Sequence, residues 1–128
     1  MSGFLPMLFV EDVEATSRWY QELFGLTSGH GGPEFEMLMR GDTIAMQLHL
    51  ADAEEHGTRV HPGAPTGSGV LLSFETADVE AVHRRAVEMG AAIETEPAWN
   101  ELASHTEFVV LDPNGYALCV HTPFDPTR

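Results

Sequence analysis

Two stretches of the chain alternate apolar and polar positions in the same phase. In Ile44-Ala-Met-Gln-Leu-His-Leu50, the residues Ile44, Met46, Leu48 and Leu50 fall on one face of a period-2 strand. Ala45, Gln47 and His49 fall on the other. Tyr116-Ala-Leu-Cys-Val-His-Thr122 repeats the pattern at an offset of 72 (Ile44 to Tyr116), with Tyr116, Leu118 and Val120 apolar against Ala117, Cys119 and His121. A sheet of such strands is covered on its oily side and lines something on its mixed side. The mixed faces are therefore expected to form the wall of a cup.

The rest of the chain supplies the elements around these strands. Phe4 to Val10 is a short apolar run that reads as a strand buried on both faces. Asp12 offers an N-cap to a helix carrying Val13, Ser17, Tyr20 and Phe24 at helical spacing, and Gly25 ends it. Leu26 to Gly32 reads as a weak strand and loop, and Phe35 to Arg40 as a strand turned at Gly41-Asp42 into the first alternating stretch. Ala51 to Ser68 has no sustained period and reads as a linker or mobile loop. Val70 to Glu75 begins a second set of elements. Asp78 caps a helix bearing Val79, Val82, Ala86 and Met89, ended by Gly90. Ala92 to Glu96 predicts a strand, Pro97 to Ser104 a loop around Trp99, and Glu107 to Leu111 with Tyr116 to Thr122 a hairpin about Asp112-Pro-Asn-Gly115. The tail after Pro123 reads as loose.

These elements repeat. Glu11-Asp-Val-Glu-Ala15 parallels Ala77-Asp-Val-Glu-Ala81 at an offset of 66, and each helix stops at a glycine. Two copies of strand, helix and three strands account for the whole chain, which points to duplication. The fold class expected is α+β: one domain over 1–128, with a βαβββ module over about 3–52, a linker over about 53–68 and a second module over about 69–123.

Composition adds bounds. The 128 residues suffice for one core, and 43% hydrophobic with 20% charged residues describe an ordinary soluble globule. No apolar run reaches the ~20 residues of a membrane helix, and no basic segment precedes Phe4-Leu5. The single cysteine, Cys119, precludes an internal disulfide and fits a reducing cytoplasm. Twenty acidic against six basic residues give a net charge of −14, which disfavours nucleic acid and anionic membrane as partners; it reads first as solubility and also tolerates or attracts a cationic ligand.

In order, Phe9-Val-Glu-Asp-Val13, Trp19-Tyr20, Leu23-Phe-Gly-Leu26, Asp78-Val-Glu-Ala81, Gly90-Ala91 and Asp112-Pro-Asn-Gly-Tyr116 resemble the vicinal oxygen chelate superfamily, the glyoxalase, bleomycin resistance protein and dioxygenase type. The resemblance runs from Leu5 to His121 and implies two βαβββ modules curled into a half-open cup, and a homodimer. It also implies where metalloenzymes of the family hold a divalent ion: on the first and last strand of each module. Those positions carry Leu5, Gln47, Leu71 (or Val70) and Cys119 here. Two leucines, an amide and a thiol do not replace the N and O donors such sites use. The resemblance then implies a metal-independent protein of the bleomycin-resistance type, with no cofactor and no catalytic residue, that sequesters a small organic molecule.

The residues expected to touch that ligand are Phe35, Gln47, His49, Trp99, Glu107, Cys119 and His121. Gln47 offers a donor and an acceptor, the histidines hydrogen bonds or stacking, and Trp99 an aromatic cap. Cys119 reads as a small buried filler, with no neighbouring cation in sequence to activate it. His30, His56, His61 and His83 read as solvated, and so do the paired acids Glu54-Glu55. The alternative is a glyoxalase-like lyase or isomerase, or a dioxygenase-like metalloenzyme, with displaced ligands at His49 and His121 completed by Glu107 or His105.

Overall fold

The computed structural model describes residues 2–52 and 56–128, so Glu54-Glu55 lie outside the described residues. The chain divides into two compact units, one ending at Pro65 and the other beginning at Thr66. The first holds β1 (Met7–Val10), α1 (Val13–Phe24), β2 (Thr27–His30), β3 (Phe35–Arg40) and β4 (Thr43–Leu50). The second holds β5 (Leu71–Glu75), α2 (Val79–Glu88), β6 (Ala92–Asn100), β7 (His105–Leu111) and β8 (Ala117–His121). Each unit is thus a βαβββ module, and the α+β expectation holds.

The sheets have the same plan, β1-β4-β3-β2 and β5-β8-β7-β6, with the first pair parallel and the rest antiparallel. Both helices start the same way. The Asp12 carboxylate accepts from the Ala15 N–H, and that of Asp78 from the Ala81 N–H, each at 3.0 Å. α1 stops at Gly25, whose φ of 71° suits the left-handed cap and whose N–H donates to the Gln21 carbonyl. Spacing by three and four lays Val13, Tyr20, Leu23 and Phe24 of α1 and Val79, Val82 and Ala86 of α2 into the cores. Facing them are Leu8, Val10, Leu38, Met46 and Leu48 in the first unit. In the second they are Phe108, Val110, Leu118 and Val120. The other side of each sheet carries no helix. The β7–β8 turn follows the Asp-Pro-Asn-Gly chemistry: Asp112 Oδ1 accepts from the Asn114 and Tyr116 N–H groups, and Gly115 sits at φ 100°.

Four expectations need correction. The strand expected over Phe4 to Val10 begins at Met7 and alternates in burial, with Phe4 fully exposed. It lies at the edge of its sheet and only one face has a helix to cover it. The strand expected to end at Glu96 continues as β6 to Asn100, so Trp99 is in a strand and not a loop. Pro97 is tolerated because the β6–β7 register slips between Thr95 and Ala98, where a missing N–H breaks no ladder. The tail is held: the Asp125 N–H donates to the Ser104 carbonyl at 2.7 Å, and the Arg128 guanidinium lies 4.2 Å from the Trp99 ring centre. His83 is half-buried, edge-on to Phe108 at 5.2 Å, with its Nε2 2.7 Å from Glu96.

Candidate functional site

The helix-free side of the second unit gathers a cluster of polar side chains. Register pairs Ser73 with Cys119, Glu107 with His121 and Asn100 with His105, all on that side. The β6–β7 turn builds one end of the cluster. Asn100 Oδ1 accepts from the Leu102 and Ala103 N–H groups at 3.0 and 3.3 Å, which turns its NH2 toward Glu107 Oε1 at 3.0 Å. Ser104, at φ 53°, then delivers His105, whose Nε2–H donates to the same Oε1 at 2.7 Å. The Cys119 sulfur lies within 4.8 Å of the same carboxylate. Burial pushes the Glu107 carboxyl up, but the hydrogen bonds from His105 and Asn100, the His105 charge and the Cys119 contact outweigh it and hold it below the ordinary value. Burial, followed by the charge and hydrogen bond of Glu107, pushes the Cys119 thiol up to about 11.

His121 completes the cluster. A carbonyl only accepts, so the 2.8 Å contact to the Thr122 oxygen puts the proton on Nδ1. Nε2 hydrogen-bonds the Ser73 hydroxyl at 2.7 Å. The His105 and His121 rings stack with centres 4.5 Å apart.

The same side of the first unit is aromatic. His49 is buried, its Nδ1 donating to the Leu50 carbonyl at 3.1 Å, the counterpart of the His121 arrangement. Around it lie Phe9 at 5.4 Å, Phe35 at 6.3 Å and His56 at 5.0 Å between ring centres. Half-buried Gln47 pairs in register with Met7 and Met37 on this face. His56, read as merely solvated, is exposed and yet packs its ring against both Phe9 and His49.

Of the seven expected contact residues, Glu107, Cys119 and His121 come together in the second unit, and Phe35, Gln47 and His49 share a face in the first. Trp99 joins neither. It pairs with Thr106, so alternation sends it to the opposite side of the sheet from Glu107, where its Nε1–H donates to Glu101 at 2.5 Å. Ser73, Asn100 and Phe9 are gained. Ser73 was within reach of the duplication: the offset of 66 maps Met7 onto it, on the face of Gln47 and Cys119.

The sequence positions where family metalloenzymes place their ligands do not fit an ion. Leu5 and Leu71 are exposed hydrocarbons, and Gln47 is an amide. Cys119 alone among them is a strong ligand type, and it belongs to another grouping. His105, Glu107 and Cys119 have ligand atoms all within 4.8 Å of one another. Among the described residues, no helix is long and apolar enough to cross a membrane.

A family model for the Glyoxalase/Bleomycin resistance protein/Dioxygenase superfamily matches residues 5–120. Among solved structures, a protein of unknown function from Agrobacterium tumefaciens str. C58 is 22% identical at a TM-score of 0.77, over 95% of this chain and 94% of that one. A glyoxalase/bleomycin resistance protein/dioxygenase family enzyme from Burkholderia phytofirmans PsJN is 22% identical at 0.76, over 91% and 94%. A glyoxalase-related enzyme from Fulvimarina pelagi is 20% identical at 0.76, over 95% and 88%. At these identities the likeness concerns the fold. No curated protein matches the sequence.

Proposed function

The chain belongs to the Glyoxalase/Bleomycin resistance protein/Dioxygenase superfamily, and on that premise we propose that it sequesters a small organic molecule in the manner of the bleomycin-resistance proteins, without the family's full set of metal ligands. The observation that carries this reading is the ring cluster of Phe9, Phe35 and His56 about the buried His49. Half-buried rings on a helix-free sheet face offer a planar ligand stacking area at little cost in side-chain entropy. Gln47 on that face adds one donor and one acceptor to orient it. The excess of 14 negative charges favours a cationic ligand by long-range attraction. As the family resemblance implies, the binding form is a homodimer.

A thermal-shift panel of aromatic and glycopeptide antibiotics and aromatic amines tests the reading. A ligand at about 100 times its Kd adds about 2.7 kcal/mol of stability, a readily visible rise in Tm. Phe35→Ala is expected to abolish that rise while leaving the fold intact. A panel without a hit sinks the drug reading, and a hit insensitive to Phe35→Ala and Phe9→Ala moves the ligand off this face. The rival reading, a lyase, isomerase or dioxygenase-like metalloenzyme, has one specific support in the grouping of His105, Glu107 and Cys119.

A further inference from the structure

We propose that the second unit binds a divalent transition ion, zinc in the first place, through His105 Nε2, a Glu107 carboxylate oxygen and Cys119 Sγ. Zinc bonds of about 2.0–2.3 Å in tetrahedral geometry set ligand atoms roughly 3.3–3.8 Å apart. The three atoms already lie within 4.8 Å of each other, with His105 and Glu107 at 2.7 Å. The His105–Glu107 contact opens by about 1 Å at most and the contacts to Cys119 close by up to about 1.5 Å, within the reach of side-chain rotations.

The bonding pattern itself suits an ion. Nε2–H of His105 donates to the Glu107 carboxylate, and Cys119 Sγ lies within 4.8 Å of both. A divalent ion placed among them would bind the imidazole at Nε2, its hydrogen then on Nδ1, and the sulfur as thiolate, the thiol proton passing to solvent. Asn100 remains on Glu107 Oε1, its own orientation locked by the turn amides it accepts from, and so serves as the outer partner that holds the carboxylate. Thiolate, imidazole and one carboxylate select zinc or cobalt over magnesium or calcium. Three protein ligands leave a coordination position open. The side chains of His105 and Glu107 are 14% and 24% exposed, so an ion can reach them without unfolding the sheet.

The inference does not depend on which organic molecule the rings of the first unit take, and its test contains no organic ligand. Full-length chain, reduced and stripped with chelator, is titrated with cobalt(II) and then with zinc. The expected result is one cobalt per chain with a thiolate-to-cobalt charge-transfer band in the near ultraviolet, displaced by zinc. Cys119→Ser abolishes the band, His105→Ala weakens zinc binding at least tenfold, and Asn100→Ala weakens it by about tenfold as outer-partner losses do. His61→Ala leaves it unchanged. Circular dichroism checks that each variant is folded, and His105→Ala carries the test should Cys119→Ser not fold. No 1:1 binding at micromolar metal overturns the proposal, and so does binding that survives both Cys119→Ser and His105→Ala.

Discussion

The third strand of each module carries the same two residue types in opposite order. In β3 the run is Phe35-Glu36-Met37, and in β7 it is Glu107-Phe108-Val109. The registers are equivalent, since Glu36 pairs with Leu48 and Phe108 with Val120, 72 residues on. Exchanging neighbours on a strand exchanges sides of the sheet. The first unit therefore buries its carboxylate beneath the helix and turns its ring to the helix-free face. The second buries its ring and turns out its carboxylate.

Each choice is matched by its surroundings. Glu36 accepts from Ser17 Oγ and Ser28 Oγ at 2.8 Å and from the Met37 N–H at 2.9 Å, tying α1 and β2 to β3. The residue 66 positions after Ser17 is His83, which packs its ring edge-on to Phe108. Outside, Phe35 meets His49, while Glu107 meets His105 and Asn100. The two units share a backbone plan and differ in which side of the third strand carries the carboxylate and which the ring.

The largest effect that tests this contrast is Phe108→Ala, expected to cost about 3–5 kcal/mol because a fully buried ring leaves a cavity in a small core. Urea unfolding measures it, and a loss under about 1 kcal/mol would mean that the second unit does not rest on that ring. Next is Glu36→Leu. Deleting the acceptor strands the buried Ser17 hydroxyl and the half-buried Met37 amide, at about 2–3 kcal/mol in total. A stabilised variant would remove the carboxylate from its role as a tie between α1, β2 and β3. The smallest effect concerns Cys119 in the metal-free chain. Its thiol ionises near 9.0 when exposed and at about 11 in the folded unit. The folded state therefore holds the proton longer. The associated stability is complete below pH 9.0 and is lost as pH rises through about 11. Unfolding midpoints across this range are expected to fall in the parent and to fall less in Cys119→Ser.

Much of the architecture was legible along the chain. Asp12 and Asp78 announce the helix starts, Gly25 the stop of the first, and Asp112-Pro-Asn-Gly115 the last hairpin, because each acts on neighbours within a few residues. The duplicated alternation placed Gln47 with His49, and Cys119 with His121, on common faces. Glu36 was not legible as a buried residue. Alternation allows Phe35 and Met37, or Glu36 and Leu38, to face the helix, and the hydroxyls that satisfy Glu36 come from elsewhere in the chain. Trp99 was misplaced because Pro97 reads as the end of a strand, whereas a slipped register carries the strand through it.

Residue order by itself therefore settled the element plan, the repeat and the composition of each strand face, since helix caps, turns and strand periodicity are local. Which face meets the helix, and which side chains from β5, β6, β7 and β8 meet one another, was decided by the pairing of strands far apart in sequence. His105, Glu107 and Cys119 become one grouping only when β7 and β8 align in a single register, and a slip of one residue would send Cys119 to the other side of the sheet.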